Sequence, residues 1–391
     1  MNTEKRVYLD YHSTTPVDPR VREAMIPYFT DKFGNAASRN HSFGWEAEEA
    51  VDRSRRTIAD ELNAKSKEIV FTSGATESIN LAIKGLCETY ERKGKHIVTQ
   101  MTEHKAVLDT CEVMKRRGWE VDCLPVEKEG RVDPNRVNDA IRDETVLVSI
   151  MHANNEIGTL NPISEIGKIC RDHNVFFFVD AAQSFGKLPI DIEELGIDLL
   201  AASGHKIYGP KGIGFLYVRG RHPRVNLSSQ IDGGGHERGM RSGTLAVPLI
   251  VGMSMAAKVS KSERDEENRR SKTLRDRLME GILESLPGTV VNGSMEYRLP
   301  HNLNVAFPEV EAESLLMGMG DIACSTGSAC TSATLEPSHV IKALGVSEEM
   351  AHSSVRFSVG RFTTEEDIDY AITKITATVE KLRQVVPHWQ N

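Results

Sequence analysis

The chain has 391 residues, 39% of them hydrophobic and 27% charged, with a formal net charge of −8. That length and composition suit a globular protein with one large core and a smaller second domain. The acidic balance gives no electrostatic ground for binding nucleic acid or an anionic membrane, because phosphate recognition needs clustered Lys and Arg.

Val7 to Asp10 reads as a short strand, followed by a loop to Pro16 and a helix over 18–29. Residues 33–41 form a small-residue loop, and 44–62 set apolar residues at helical spacing among Glu, Asp and Arg, as in an amphipathic surface helix. Beyond it strand and helix alternate, the pattern of a parallel sheet with right-handed crossovers. Strands are expected at 68–72, 96–99, 120–124, 146–151, 175–179, 199–202 and 214–218, with helices at 76–91, 106–117 and 163–173. Too few residues separate the last two strands for a helical crossover, so that pair is expected to be antiparallel.

A loop over 223–243 precedes a long helix over 248–286, whose 261–272 portion is almost wholly polar and reads as a solvated face. A second set of elements follows: strands at 287–292, 302–307 and 355–359, a helix at 312–319, a Ser/Gly loop at 325–332 and a final helix. In the last helix Ile368, Ile372, Ile375, Val379 and Leu382 make a core-facing stripe. The expected division is an N-terminal segment 1–16 that joins the smaller domain, a large domain 17–260 and a smaller α+β domain 261–391.

No apolar run approaches the ~20 residues a membrane span needs, and Met1 to Arg6 lack the apolar segment of a signal peptide. A cytoplasmic protein with no membrane association is expected. The six cysteines, Cys87, Cys111, Cys123, Cys170, Cys324 and Cys330, form no Cys-x-x-Cys pair, so reduced thiols fit better than a zinc ribbon or a dithiol.

The chemistry is suggested where polarity returns after apolar strands. Val175 to Val179 has no polar alternation, as in a strand covered on both faces, and Asp180 follows it. Ligands of such sheets bind beyond the strands' carboxyl ends. Lys206 ends Ser203-Gly204-His205-Lys206 after another apolar strand, wrapped in glycines. Alone, Asp180 reads as a helix cap or an ion-pair partner and Lys206 as a surface amine. Together they match pyridoxal phosphate, which needs a lysine for its Schiff base and an acid beside the pyridine nitrogen. A phosphate site is offered by Thr72-Ser73-Gly74-Ala75-Thr76-Glu77-Ser78, which runs from a strand through a glycine turn into a helix. The same run also reads as a capping box. His104 and Asn154-Asn155-Glu156 follow other strand ends. The glycine pieces Gly209 to Gly214 and Gly233 to Gly235 lie outside the strand-turn-helix order of a dinucleotide fingerprint. Cys330 lies among small polar residues in a loop expected to be mobile and accessible, whereas Cys324 reads as an ordinary buried residue.

Taken in order, Tyr8-Leu9-Asp10, Thr14-Thr15-Pro16, Phe33-Gly34-Asn35, the Thr72 to Ser78 run, Asn154 to Gly158, Val179 to Gln183, Ser203 to Lys206, Arg241 to Thr244, Gly327 to Ser332 and Arg356-Phe357-Ser358 resemble the cysteine desulfurases of the NifS/IscS type over about residues 7 to 387. The resemblance implies the aspartate-aminotransferase-like fold type I, with a mostly parallel seven-stranded sheet in the large domain and a smaller α+β domain. It implies a homodimer, pyridoxal 5′-phosphate, and conversion of L-cysteine to L-alanine with a persulfide formed on Cys330. By motif position Lys206 would form the Schiff base, Asp180 would pair with the pyridine nitrogen, Gln183 would bond the ring hydroxyl and His104 would stack on the ring. Ala75, Thr76, Ser203 and His205, with Thr244 of the other subunit, would hold the phosphate. Asn155 and Arg356 would hold the substrate carboxylate. The persulfide would pass to an iron–sulfur scaffold protein or another sulfur acceptor, and Cys330 is a candidate for transient cluster ligation. The chain departs from the pattern at His12-Ser13, where relatives carry Ser-Ala, and at Ala36-Ala37, where many have a proline; it also stops soon after Pro387. A selenocysteine lyase, another small-amino-acid lyase or aminotransferase, and a non-enzymatic sulfur-trafficking scaffold stay open at this point.

Overall fold

The computed structural model describes residues 5–326 and 337–385. It begins with β1 (Val7–Tyr8), α1 (Pro19–Met25), α2 (Pro27–Thr30) and α3 (Ser42–Glu61). The single helix expected over 18–29 is split at Ile26, because Pro27 has no N–H to continue the ladder. Next come β2 (Ile69–Thr72), α4 (Ala75–Tyr90), β3 (His96–Gln100), α5 (Lys105–Arg116), β4 (Glu120–Leu124), α6 (Pro134–Ala140), β5 (Thr145–Ser149), α7 (Ile163–Asp172), β6 (Phe176–Asp180), β7 (Leu199–Ser203) and β8 (Gly214–Val218). The helix α8 (Val247–Ser285) leads to β9 (Val290–Val291), β10 (Asn302–Ala306), α9 (Ala312–Gly318), β11 (Ile322–Ala323), α10 (His339–Ala343), α11 (Glu348–His352), β12 (Ser354–Ser358) and α12 (Glu365–Val385).

The large sheet has the order β2-β8-β7-β6-β5-β3-β4. Neighbouring pairs from β4 through β7 are parallel, whereas β8 is antiparallel to both β7 and β2. The expected antiparallel pair is thus present, and β8 alone runs against the other six strands. Alternate residues feed two cores: Phe71, Val98, Val148, Phe177 and Leu200 on one face, and Val70, Ile97, Leu147, Phe178 and Leu199 on the other. Covering both faces explains why β6 reads as an unbroken apolar run.

A third core gathers β10, β12, α9, α12 and the end of α8, with Val7 and Leu9 of the N-terminal segment. Here β12-β10-β9 form an antiparallel sheet and β1 pairs in parallel with β11. In α12, Ile368, Ile375 and Val379 are buried and Ile372 and Leu382 pack against them. The helix α8 joins the cores, with Ile250 and Met253 in the first and Leu274 and Leu278 in the third. Its charged middle is not simply a solvated face. Glu263 pairs with Arg20, Arg264 with Glu61 and Glu267 with Arg361, tying α8 to three other segments. No helix among the described residues is long and apolar enough to cross a membrane.

Candidate functional site

Every strand of the large sheet except β8 ends toward one edge, and the residues that follow β2, β3, β5, β6 and β7 line one cavity of about 590 Å³. Close approach of backbones builds its floor. A Cβ at Gly214 would lie 2.6 Å from Gly74 Cα, so only glycine lets β8 pass the turn that opens α4.

That turn leaves the α4 N-terminus free of a side-chain cap. The capping-box alternative is not realised: Glu77 Oε2 reaches back to the Ser73 amide at 2.7 Å, and Arg241 Nε pairs with Glu77 Oε1 at 2.8 Å. Ala75 and Thr76 therefore present a helix start to the cavity, across from Ser203 and His205. Burial, with Lys206 adding repulsion, drives His205 down to about 4, so its ring is neutral near pH 7.

Asp180 closes β6 and is buried. Its Oδ1 accepts from the Ala182 amide at 2.9 Å, and burial raises the carboxyl's pKa against the opposing pull of His104 and Lys206. A cation placed against this carboxylate would relieve that cost. Lys206 sits one strand away, its Nζ donating to the carbonyls of His12 at 2.5 Å and Ser13 at 2.8 Å. Gln183 Nε2 donates to the same His12 oxygen at 3.0 Å, while Gln183 Oε1 has no partner among the described residues.

His104 is the N-cap of α5: its Nδ1 accepts from the Ala106 amide at 3.1 Å. Burial lowers its pKa, so the ring is neutral with the proton on Nε2. The residue before it, Glu103, is fully buried and pushed up to about 8 by desolvation; its Oε1 accepts from Met151 N and Gln100 Nε2, and its Oε2 has no partner among the described residues.

The opposite wall belongs to the third core. Arg356 of β12 donates to Asp10 Oδ1 and Ser13 Oγ, both at 2.8 Å, and to the Asn155 carbonyl at 2.7 Å. Its Nε and Asn155 Oδ1 have no partner among the described residues. Cys324 beside this wall is pushed up to about 12 by burial, so it remains a thiol.

Of the residues singled out in sequence, the cavity gathers Ala75, Thr76, His104, Asn155, Asp180, Gln183, Ser203, His205, Lys206 and Arg356. Thr244 is exposed before α8 and does not line it within one chain. Cys330 lies outside the described residues. Sequence reasoning missed the N-terminal contribution: Asp10 on Arg356, and His12, Ser13 and Thr14 in the cavity wall. Its signals were the Tyr8-Leu9-Asp10 and Thr14-Thr15-Pro16 motifs and the departure at His12-Ser13 between them. The arrangement suits a flat, anionic ligand that carries a cationic ring atom, held at one end by a helix start and at the other by a guanidinium.

Residues 7–371 match the family described as Aminotransferase class-V. The chain is 57% identical over 384 residues to "Cysteine desulfurase IscS" of Anaeromyxobacter dehalogenans (strain 2CP-C), covering 98% of this chain and 95% of that one. Among solved structures it is similar to a "NIFS-LIKE PROTEIN", with a TM-score of 0.90 and 36% identity over 96% of this chain and 100% of that one. It is also similar to "SspA in complex with cysteine", with a TM-score of 0.82 and 38% identity over 92% and 100% of the two chains.

Proposed function

The chain belongs to the class-V aminotransferase family, whose cysteine desulfurases depend on pyridoxal phosphate, and on that premise we propose that it is itself a cysteine desulfurase, converting L-cysteine to L-alanine with transfer of sulfur to Cys330. The observation that carries the reading is the meeting on one cavity of Asp180 from β6, Arg356 from β12 and Lys206 from the turn after β7.

The residues present fit the cofactor. Asp180 supplies a buried carboxylate for a protonated ring nitrogen, and Gln183 Oε1 is a buried polar atom with no partner among the described residues. Ala75 and Thr76, with Ser203 and His205, would take the phosphate, Thr244 being supplied by a second copy in a homodimer. Lys206 would hold the group covalently, and the flat neutral ring of His104 would lie against it. When bound, pyridoxal phosphate supplies an electron sink for charge developing at the substrate's α-carbon.

Arg356, whose Nε has no partner among the described residues, would bind the substrate carboxylate with Asn155. Lys206 Nζ, which donates to the carbonyls of His12 and Ser13, would serve as base for the substrate's α-proton. The Cys330 thiolate forms a bond to the substrate sulfur as that sulfur's bond to Cβ breaks. The C–S electron pair stays with carbon, which takes a proton and leaves as alanine. The persulfide then passes to an iron–sulfur scaffold protein or another acceptor.

Supplying L-cysteine and measuring alanine and sulfide tests the reading. Cys330→Ser and Lys206→Ala are both expected to lose turnover, and only Lys206→Ala to lose the covalently held cofactor. Undiminished sulfide release from Cys330→Ser would overturn it.

A further inference from the structure

The N-terminal segment reaches Lys206 through its backbone. One oxygen, the His12 carbonyl, receives both Lys206 Nζ and Gln183 Nε2. Behind that oxygen the His12 ring is 1% exposed, and neither ring nitrogen has a partner among the described residues. A buried imidazole without hydrogen bonds is costly, and a smaller side chain would avoid the cost. The ring does have a stacking partner: its centroid lies 4.6 Å from that of His301, with the planes 14° apart. His301 Nε2 is in turn 2.9 Å from Lys187 Nζ. His301 and Lys187 line a separate polar cavity of about 20 Å³ with Glu267 and Asn268, space for roughly one water. The stack thus joins the N-terminal segment to the residue before β10 and, through it, to Lys187 in the loop after β6.

We propose that His12 is a positioning residue for Lys206: its ring, held face to face on His301 with Lys187 behind, fixes the carbonyl that receives the Lys206 amine and the Gln183 amide. The inference rests on the reading of Lys206 as the cofactor's covalent anchor. It explains why a buried, unpartnered ring stands at this position. Burial keeps both rings neutral, and the groups facing them are cationic: Lys187, Lys206 and Arg356 toward His12, and Lys187 and Arg275 toward His301. Glu267 is the carboxylate beside Lys187.

The test uses the full-length, cofactor-loaded protein. Its visible absorbance is titrated between about pH 5 and 9 without cysteine, and kcat and KM are then measured with cysteine. His12→Ala is expected to shift the midpoint of the visible band by about one pH unit and to lower kcat about tenfold with KM nearly unchanged, since the carbonyl positions the Lys206 amine that takes the proton. His301→Ala should do the same, and the double variant should add little. His12→Phe, which can stack on His301 without a ring nitrogen, should keep the native midpoint of the band and the native kcat. A native midpoint and native kcat in His12→Ala would overturn the proposal, as would His12→Phe behaving like His12→Ala. A native protein with no such band would instead overturn the reading of Lys206, a failure visible before any variant is compared.

Discussion

Arg356 Nη2 lies 2.8 Å from Asp10 Oδ1, a pairing between residues 346 positions apart that joins β12 to the N-terminal segment at the cavity wall. The pair is nearly dry on the arginine side, with the Arg356 side chain 4% exposed. The aspartate therefore orients a guanidinium that has little water to orient it. Asp10→Asn should leave cofactor binding intact and raise KM for cysteine about tenfold by initial-rate kinetics, with Arg356→Lys, which loses the fork, costing more. An unchanged KM in Asp10→Asn would show that Arg356 orients itself.

Asp180 is the buried charge that the bound ring would compensate. Asp180→Asn keeps the shape and the Ala182 contact but removes the charge. A loss in kcat of about 10²–10³ is expected, the size seen when one electrostatic contact to developing charge is removed, together with a shifted visible spectrum. Native kcat in this variant would separate Asp180 from the chemistry.

Glu103 makes a prediction with a sign. Burial raises its folded pKa to about 8, above the unfolded value, so the folded state holds a proton that the unfolded state has already lost. The stability this group contributes is full at low pH and is lost as pH rises toward 8. Glu103→Gln mimics the protonated acid. The variant should melt with the native protein near pH 5 and roughly 2–5 °C above it near pH 9, as measured by calorimetry. Equal melting at both values would mean the carboxyl is not held protonated.

Arg55 and Glu237 form a buried bidentate pair, at 2.8 and 2.6 Å, with Glu237 Oε2 also accepting from the Phe71 amide. Removing one partner strands a buried charge. Glu237→Ala should cost about 3–5 kcal/mol by denaturant unfolding, and pairing Arg55→Met with Glu237→Leu should recover most of it. A loss below about 1 kcal/mol would mean that water reaches the pair.

The strands and their order of appearance were legible because apolar runs and glycine turns are local signals. Phe176 to Val179 could be read as doubly covered, and the stripe of α12 followed from spacing alone. β1 was legible as a short strand, but its partner β11 and their pairing were not, since two residues carry no periodicity. Nor was the role of the charged middle of α8: its partners Arg20, Glu61 and Arg361 come from distant parts of the chain, and composition alone pointed to solvent.

Asp180 and Lys206 could be found without a fold, because each ends an apolar strand and strand ends are where such sheets bind ligands. Their neighbours could not. Which residues face them depends on the order β2-β8-β7-β6-β5-β3-β4 and on how the third core folds back across its edge. Asp10 against Arg356 and His12 against His301 are contacts across hundreds of residues, made where separately packed cores meet. No local pattern encodes them, since each side chain is placed by the packing of its own element and only the assembled layers bring the elements together.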